Sequence, residues 1–370
     1  MNDRSMVVPM VSGVTMVALA AGLMLVPMPY AVQSPGPTIN TMGAQGDTPI
    51  ITVDGAQTFP VGEGELRLTT VSVRGGPSSP ATPYDVLAGW WREDSVVIPR
   101  EQVFGTETAE ELSEYQQIQM ANSQQNAVAA ALQALDYEVP MVLNVVEMIP
   151  GMKASEVLVV DDVITGIARS DTGAHIEIDN FRNLTDFLGE TPAGTSVTVD
   201  VQRGGNAVTE TFETSPRPEG DRRAGSLLGV FVAADIQNPV DVQFDLDRIG
   251  GPSAGLMFAL GVIDLMTPGD LTGGEIIAGT GTMSIDSYVG AIGGVRQKMH
   301  GAVRDGASWF LVPVDNCAEV LGFEPEGLTV IPVDELSDAR EAVEAIASGQ
   351  TDGLPTCAQK VSEGFVEARQ

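Results

Sequence analysis

The longest purely apolar stretch of the chain lies near its start. Residues Met6 to Val26, MVVPMVSGVTMVALAAGLMLV, carry no charge over 21 positions. A helix of that length crosses about 30 Å of hydrocarbon. The alternative is a secretory signal peptide, but such a peptide has a shorter apolar core and ends at a small-x-small site, and the following PMPYAVQSPGP contains no A-x-A. We therefore predict an uncleaved membrane-spanning helix.

The charges that flank this segment predict its orientation. Arg4 stands on the short side, where Asp3 partly cancels it, and the first basic residue beyond the segment is Arg67. Basic residues favour the cytoplasmic side of a span. We expect a single-pass protein of the cell membrane, with its N-terminus inside and its body extracytoplasmic.

Two patterns follow the apolar segment. From Ile50 to Val73, apolar and polar residues alternate between glycines, which predicts short strands. From Thr106 the sequence TETAEELSEYQQIQMANSQQNAVAAALQAL places acidic residues in a first turn and alanine and leucine at helical spacing. This pattern predicts one long helix, or two helices that join near Asn122.

Between Tyr137 and Thr214 the pattern becomes that of strands. The predicted order is a strand, the turn PGMKAS, the strand LVVDDVI, a short helix and the hairpin GTSVTVDVQRGG. This order resembles a bacterial PDZ domain, although Asp161 stands where the family usually has glycine. The resemblance implies that the loop Leu135 to Glu138 binds a peptide's C-terminal carboxylate and that the peptide adds a strand beside it. The alternative is a β module that only positions its neighbour.

A polar linker, SPRPEGDRRAG from Ser215 to Gly225, separates this module from an apolar, glycine-rich region. The predicted fold class is α+β. The predicted division, listed in chain order, is an N-terminus and anchor (1–30), a β region with a long helix (31–135), a PDZ-like domain (136–214), an apolar, glycine-rich last domain (226–348) and a C-terminal tail (349–370).

Composition excludes several classes of function. The formal net charge is −31, which repels nucleic acid. No G-x-x-x-x-G-K-[ST] motif is present, so the sequence predicts no ATP-binding site. The histidines, His175 and His300, and the two cysteines lack metal-ligand spacing, so we expect neither a metal nor another cofactor.

The two cysteines are Cys317 and Cys357. In an extracytoplasmic body this pair can oxidise, whereas in a reducing compartment both would remain buried thiols. We predict the disulfide.

One serine stands out in the segment IGGPSAGLMFALGVIDLM, Ile249 to Met266. Two glycines and a proline precede Ser253, and the apolar run after it predicts a buried helix without a polar face. Ser253 would then lie in the first turn of this helix, where unpaired N–H groups favour negative charge. It is either a nucleophile beside an oxyanion hole or a helix N-cap.

A nucleophilic serine requires a base, and the helix predicted after Gly294 offers two. On a helical wheel Lys298 borders the apolar stripe, whereas His300 falls opposite it with Gln297. Burial lowers the pKa of a lysine, as a lysine base needs. The wheel therefore favours Lys298 as the base over His300, although a lysine whose head reaches water remains an alternative.

Three ordered segments carry a second resemblance: GGPSAGLMFALGVIDLMT, IAGTGTMSIDSYVGAIGGVRQKMHGA and GASWFLVPVDNCAEV. Together they resemble the proteolytic domain of Lon proteases. The resemblance implies a Ser–Lys dyad, with Ser253 as nucleophile, Lys298 as general base and Thr280 as the threonine that hydrogen-bonds the lysine. SIDSY departs from the usual acidic-Gly turn of the family.

With the anchor and the PDZ-like module, the whole chain resembles membrane-anchored, PDZ-containing Lon-like serine proteases. This resemblance implies an ATP-independent serine endopeptidase that assembles as a homo-oligomeric ring and acts on unfolded or exposed segments of exported proteins. The alternative is a catalytically silent, membrane-anchored scaffold that binds protein tails and oligomerises.

Overall fold

A computed structural model describes residues 11–19, 22, 26–105, 108–218, 221, 223–246 and 249–364. Residues 11–19 are helical and exposed. The predicted span from Met6 to Val26 lies partly outside the described residues. Among the residues that are described, no helix combines the length and the apolar character required to cross a membrane.

The strands in the first half of the described chain are β1 (Tyr30–Asn40), β2 (Ala44–Gln45), β3 (Thr48–Pro49), β4 (Ile51–Asp54), β5 (Glu65–Arg74), β6 (Val96–Pro99), β7 (Met141–Met148), β8 (Val163–Arg169) and β9 (His175–Glu177). Those in the second half are β10 (Ser196–Arg203), β11 (Asn206–Glu213), β12 (Ser215–Pro216), β13 (Ser226–Leu227), β14 (Val230–Ile236), β15 (Asp241–Phe244), β16 (Ile276–Gly279), β17 (Thr282–Met283), β18 (Val289–Gly290), β19 (Trp309–Pro313) and β20 (Thr329–Val333).

After the helical residues 11–19, the α-helices are α1 (Pro83–Trp91), α2 (Arg100–Phe104), α3 (Ala109–Ala134), α4 (Phe181–Gly189), α5 (Gly255–Met266), α6 (Val295–Arg304), α7 (Cys317–Val320), α8 (Leu336–Ala347) and α9 (Cys357–Ser362). Single 3₁₀ turns occupy Lys153–Glu156 and Val314–Asn316.

The first sheet has the strand order β20-β19-β16-β5-β1-β6. The strands from β20 to β5 run parallel, and β1 is antiparallel to both of its neighbours, β5 and β6. At its centre, Glu65 to Leu68 of β5 pair with β16. Strands from the predicted region 31–135 therefore lie in the same sheet as strands from the predicted proteolytic-type region 226–348.

The second sheet has the order β11-β10-β8-β7-β14, with β9 paired to β8. Between residues 141 and 213 its elements follow the predicted sequence of strand, turn, strand, helix and hairpin. Asp161, which stands at the usual glycine position, has φ +70°. Aspartate tolerates this left-handed conformation better than most residues, which explains how the turn forms without glycine.

The loop predicted to bind a carboxylate, Leu135 to Glu138, does not border an open strand edge. Strand β7 follows this loop and pairs with β8 on one side and with β14 on the other. The edge predicted to accept a peptide is thus filled by the chain's own strand β14. Strand β14 is the last strand of this sheet in the part of the chain described.

Helix α3 is continuous, which decides between one helix and two. Its N-cap is Thr108, whose side chain accepts a hydrogen bond from the Glu111 N–H while the Glu111 carboxylate accepts one from the Thr108 N–H. Ala127 to Leu132 are buried, and the helix packs along α5. Burial of this C-terminal part stabilises the helix, so it forms as one continuous helix despite its low overall amphipathicity.

The predicted disulfide between Cys317 and Cys357 is confirmed. It connects α7 to α9, with the two Cα atoms 4.9 Å apart and 40 residues apart in sequence. The bond ties the described part of the C-terminal tail to the body that carries the first sheet.

Candidate active site

Ser253 lies in a tight turn directly before helix α5. Gly251 has φ +91°, a left-handed conformation that glycine adopts without steric cost. The helix begins at Gly255, so Ser253 precedes the helix rather than lying in its first turn as predicted. All residues from Gly255 to Asp264 are buried. A helix fixed in the core holds the turn in front of it in a defined position.

Helix α3 supports this turn from the other side. The Ser123 hydroxyl donates to the Pro252 carbonyl at 2.8 Å, and the Gly251 N–H donates to the Gln116 carbonyl at 3.2 Å. The sequence reasoning missed Ser123, because a serine inside a helix carries no signal of a long-range partner. The structure identifies it as a residue that positions the turn carrying Ser253.

Lys298 points from helix α6 to Ser253. The Lys298 side chain donates from Nζ to Ser253 Oγ at 2.8 Å and to Thr280 Oγ1 at 2.8 Å. Thr280 Oγ1 in turn donates to the Ser253 carbonyl at 3.0 Å, and the Gly281 N–H donates to the same carbonyl at 2.9 Å. The structure therefore brings the three predicted site residues, Ser253, Thr280 and Lys298, into one hydrogen-bonded group.

Burial changes the acidity of this lysine. Lys298 is 3 % exposed, and the loss of water around its ammonium lowers its pKa from 10.5 to about 7. A lysine with this pKa is partly neutral at neutral pH. Its amine can then accept a proton from a hydroxyl at 2.8 Å, which is the requirement for a general base next to a nucleophile.

His300 is not part of this group. It lies on the same helix, is half-buried and is absent from the described residues that line the cleft in front of Ser253. His300 acts instead on Asp94, whose pKa is lowered mainly by its hydrogen bond to Arg92 and to a smaller extent by His300. The wheel prediction that separates Lys298 from His300 agrees with this geometry.

The same wheel is wrong about Gln297. It placed this residue on the solvated side with His300, whereas Gln297 is 3 % exposed. The reason is that α6 packs against both β1 and β5, so the covered part of the helix is wider than its apolar stripe. Those strands come from a distant part of the sequence, and the local pattern carries no information about them.

A cleft of about 650 Å³ opens in front of Ser253 and Lys298. One wall is the end of β5, residues 68–73, and the opposite wall includes the start of α3 and the turn at residues 249–251. Pairing of β5 with β16 stops at Leu68, while pairing with β1 continues to Arg74. Within the described part of the chain, one edge of β5 beyond Leu68 therefore has no strand partner and faces the cleft.

Comparison with known proteins agrees with the class of site that this geometry defines. Residues 248–344 match the family model of the Lon protease (S16) C-terminal proteolytic domain, a class of serine peptidase domain. Among curated proteins, the chain is 31% identical over 132 residues to an archaeal Lon protease from Archaeoglobus fulgidus, covering 34% of this chain and 21% of that protein. It is 32% identical over 123 residues to a Lon protease from Azospirillum brasilense, covering 28% of this chain and 15% of that protein.

The chain thus spans about a fifth or less of the length of these relatives. Among solved structures, it is similar to the PDZ domain of the SdrC-like protein from Listeria monocytogenes, with 16% identity and a TM-score of 0.21. That comparison covers 25% of this chain and 86% of the PDZ domain.

Proposed function

We propose that this chain is a membrane-anchored, ATP-independent serine endopeptidase with a Ser253–Lys298 dyad. The observation that carries the proposal is the 2.8 Å contact between Lys298 Nζ and Ser253 Oγ, made by a buried lysine whose pKa is lowered to about 7. The similarity of residues 248–344 to a Lon-type proteolytic domain supports it.

In the proposed reaction, neutral Lys298 takes the proton of the Ser253 hydroxyl as Oγ bonds to the carbonyl carbon of the scissile peptide. The resulting ammonium gives this proton to the leaving amine as the C–N bond breaks, which leaves an acyl group on Ser253. Lys298 then takes a proton from a water molecule as the water oxygen bonds to the ester carbon. The ammonium returns this proton to Ser253 Oγ as the ester C–O bond breaks, which releases the acid and regenerates the serine hydroxyl and the neutral amine. Thr280 holds the amine in line through its hydrogen bond to Nζ.

We propose unfolded or exposed segments of exported proteins as substrates. The open edge of β5 lies in the cleft beside the dyad, and an extended segment can add to such an edge through main-chain hydrogen bonds. A helix, or a strand with a neighbour on each side, has already used those backbone groups and cannot pair in this way. The preference for unfolded segments follows from this requirement.

The membrane anchor and the extracytoplasmic location of the body belong to the same proposal. They rest on the 21 uncharged residues from Met6 to Val26 and on the flanking charges. A disulfide is typical of proteins in oxidising compartments, so the bond between Cys317 and Cys357 supports the location. ATP independence rests on the absence of a P-loop motif from these 370 residues. Assembly into a ring is proposed from the Lon-like resemblance alone.

The competing proposal is a catalytically silent scaffold that binds protein tails. Strand β14 lies at the edge of the second sheet in the described part of the chain, and such an edge can accept an added strand either from a bound protein tail or from a substrate on its way to the cleft. The two proposals differ at Ser253, which a scaffold does not use.

The test is degradation of an unfolded protein substrate by the purified full chain. We expect cleavage by the wild type, none by Ser253→Ala and Lys298→Ala, and none by Lys298→Arg because a guanidinium stays charged. His300→Ala is the matched control on the same helix and keeps most of the activity. Equal cleavage by wild type and Ser253→Ala would show that Ser253 is not the nucleophile.

A further inference from the structure

Helix α1 presents an apolar surface to solvent. Tyr84, Leu87, Trp90 and Trp91 are 56%, 54%, 65% and 92% exposed. At 100° per residue these four side chains fall on one continuous arc of the helix. A surface helix normally turns polar residues outward and buries its apolar stripe. We call the four residues the aromatic face.

The opposite side of α1 already has its partner. Val86 and Gly89 are buried, and α1 packs against β1 and β6 at the edge of the first sheet. A Cβ on Gly89 would come within 2.9 Å of Val32 and Val97 side-chain atoms, so the helix sits close against the sheet. The aromatic face is therefore a second apolar surface, which packing within the described chain leaves uncovered.

The position of α1 in the chain indicates what covers this face. The Met28 N–H donates to the Ala81 carbonyl at 2.7 Å, and Ala81 directly precedes the helix N-cap, Thr82. Only Pro27 lies between Met28 and Val26, the end of the uncharged run, and these two steps along the chain span at most about 7 Å. If this run crosses a bilayer, the start of α1 is held at the bilayer surface.

The chemistry of the face suits that surface. Tryptophan and tyrosine concentrate at the headgroup level of membranes, because their rings are apolar and their N–H or O–H groups remain hydrated. Tyr30 extends the face, since its ring lies 6.5 Å from the Trp90 ring in an edge-to-face contact. The neighbouring acidic side chains Asp85 and Asp94 are paired with Arg74 and Arg92, which offsets their charge, while Glu93 close to Trp91 in sequence is exposed.

We propose that the aromatic face of α1 docks into the headgroup region of a lipid bilayer and holds the body of the protein close to the membrane. This inference rests on the membrane anchor of the proposed function, and it adds a second contact that fixes the orientation of the body. The net charge of −31 opposes an electrostatic attraction to anionic lipid. Docking therefore acts through the aromatic rings, on zwitterionic lipid, and persists at high salt.

The chain supplies its own reporters for a test, because it has three tryptophans, Trp90, Trp91 and Trp309. Trp309 lies on β19 and its Nε1 donates to Glu275, away from the aromatic face. The full chain is reconstituted into phosphatidylcholine vesicles whose acyl chains carry bromine either near the headgroup or near the bilayer centre. Bromine quenches a tryptophan that it can touch.

We expect Trp309→Phe, which keeps the two α1 reporters, to lose emission most strongly with the shallow bromine label, in both low and high salt. The variant Trp90→Phe/Trp91→Phe, which keeps only Trp309, is the matched control and stays unquenched. Should Trp309→Phe fail to fold, the quenching of the α1 tryptophans is obtained by comparing the emission lost by the wild type with that lost by Trp90→Phe/Trp91→Phe.

Flotation of the chain with the vesicles and its resistance to alkaline extraction report the anchor separately. A chain that floats and resists extraction, but whose α1 tryptophans are not quenched, overturns the docking and leaves the anchor intact. A chain that does not float overturns both. Unquenched α1 tryptophans whose emission instead shifts as the protein assembles would assign the face to contacts between copies, which also overturns the docking.

Discussion

Replacing Lys298 by methionine separates the energetic effect of the buried lysine from its chemistry. Methionine is close in length and shape to the lysine stem and carries no charge. We expect Lys298→Met to be inactive and more stable than the wild type at neutral pH. A substitution in a catalytic group that raises stability is the behaviour expected where function maintains a strained arrangement.

The magnitude follows from the pKa of Lys298. This pKa falls from 10.5 to about 7 on folding, so unfolding takes up a proton between these two values and stability rises with pH in this window. The penalty is the unfolding free energy lost because the buried ammonium is less stable in the folded state than in water. It applies in full below pH 7 and is absent above pH 10.5. Linkage gives a penalty of about 4 kcal/mol at pH 7 and about 2 kcal/mol at pH 9.

Methionine also removes the hydrogen bonds from Nζ to Ser253 and Thr280, each of which contributes about 1 kcal/mol. We therefore expect the unfolding free energy of Lys298→Met to exceed that of the wild type by about 2 kcal/mol at pH 7. The advantage should shrink by about 2 kcal/mol on going to pH 9, because the wild type loses its penalty and the variant has none.

The assay is urea unfolding at pH 7, 8 and 9, followed by Trp309 fluorescence in a Trp90→Phe/Trp91→Phe background. Trp309 is a local reporter, since its strand β19 pairs with β16, which leads into Thr280. Lys153→Met is the control, because Lys153 is exposed and the pKa of its amine is raised by Glu156. If the difference in unfolding free energy between Lys298→Met and the wild type does not change with pH, the pKa of Lys298 is not lowered by burial.

Three further predictions concern the framework around the site. Ser123→Ala should lower kcat by about tenfold, because the turn that carries Ser253 loses its support, while KM and the pH midpoint stay unchanged. The control is Asn122→Ala, an exposed neighbour that should match the wild type, and equal kinetics for both variants would contradict the role of Ser123. The double variant Cys317→Ser/Cys357→Ser should lose up to about 4 kcal/mol of unfolding free energy, as expected for a loop of 40 residues, and an unchanged urea midpoint would contradict this. Asp161→Gly should be up to about 1 kcal/mol more stable and Asp161→Ala about 1 kcal/mol less stable in thermal unfolding, and the reverse order would show that the left-handed backbone at this position carries no strain.

The local parts of the site were predictable from the sequence because their signals are local. The spacing of apolar residues marks α5 as a buried helix, and the wheel of α6 separates Lys298 from His300. The order of elements between residues 141 and 213 was also predictable, since strands, turns and the short helix each have their own pattern. The turn SIDSY, which departs from the acidic-Gly turn of Lon-like sequences, forms with Ser287 in the left-handed conformation, φ +70°.

The pairing of distant segments was not predictable in this way. Strand β5 pairs with β16, which lies more than 200 residues further along the chain, and β1 joins the first sheet on the other side of β5. Nothing in the alternation of residues 30–74 specifies that partner. The wrong prediction about Gln297 has this same origin, and the filled edge of β7 shows the same effect, because in each case strands from elsewhere in the chain cover a surface that the local pattern indicates to be open.

The most direct test of the central claim is the pH dependence of the reaction of Ser253 with a serine-directed acylating probe, followed by mass spectrometry of the intact full chain. With Lys298 as base, the rate rises with pH and has its midpoint near the lowered pKa, about 7. His300→Ala keeps this profile, and Lys298→Arg does not react at any pH at which it stays folded. A folded Lys298→Arg protein that reacts at the wild-type rate, together with an unreactive His300→Ala protein, would contradict the assignment of Lys298 as the base.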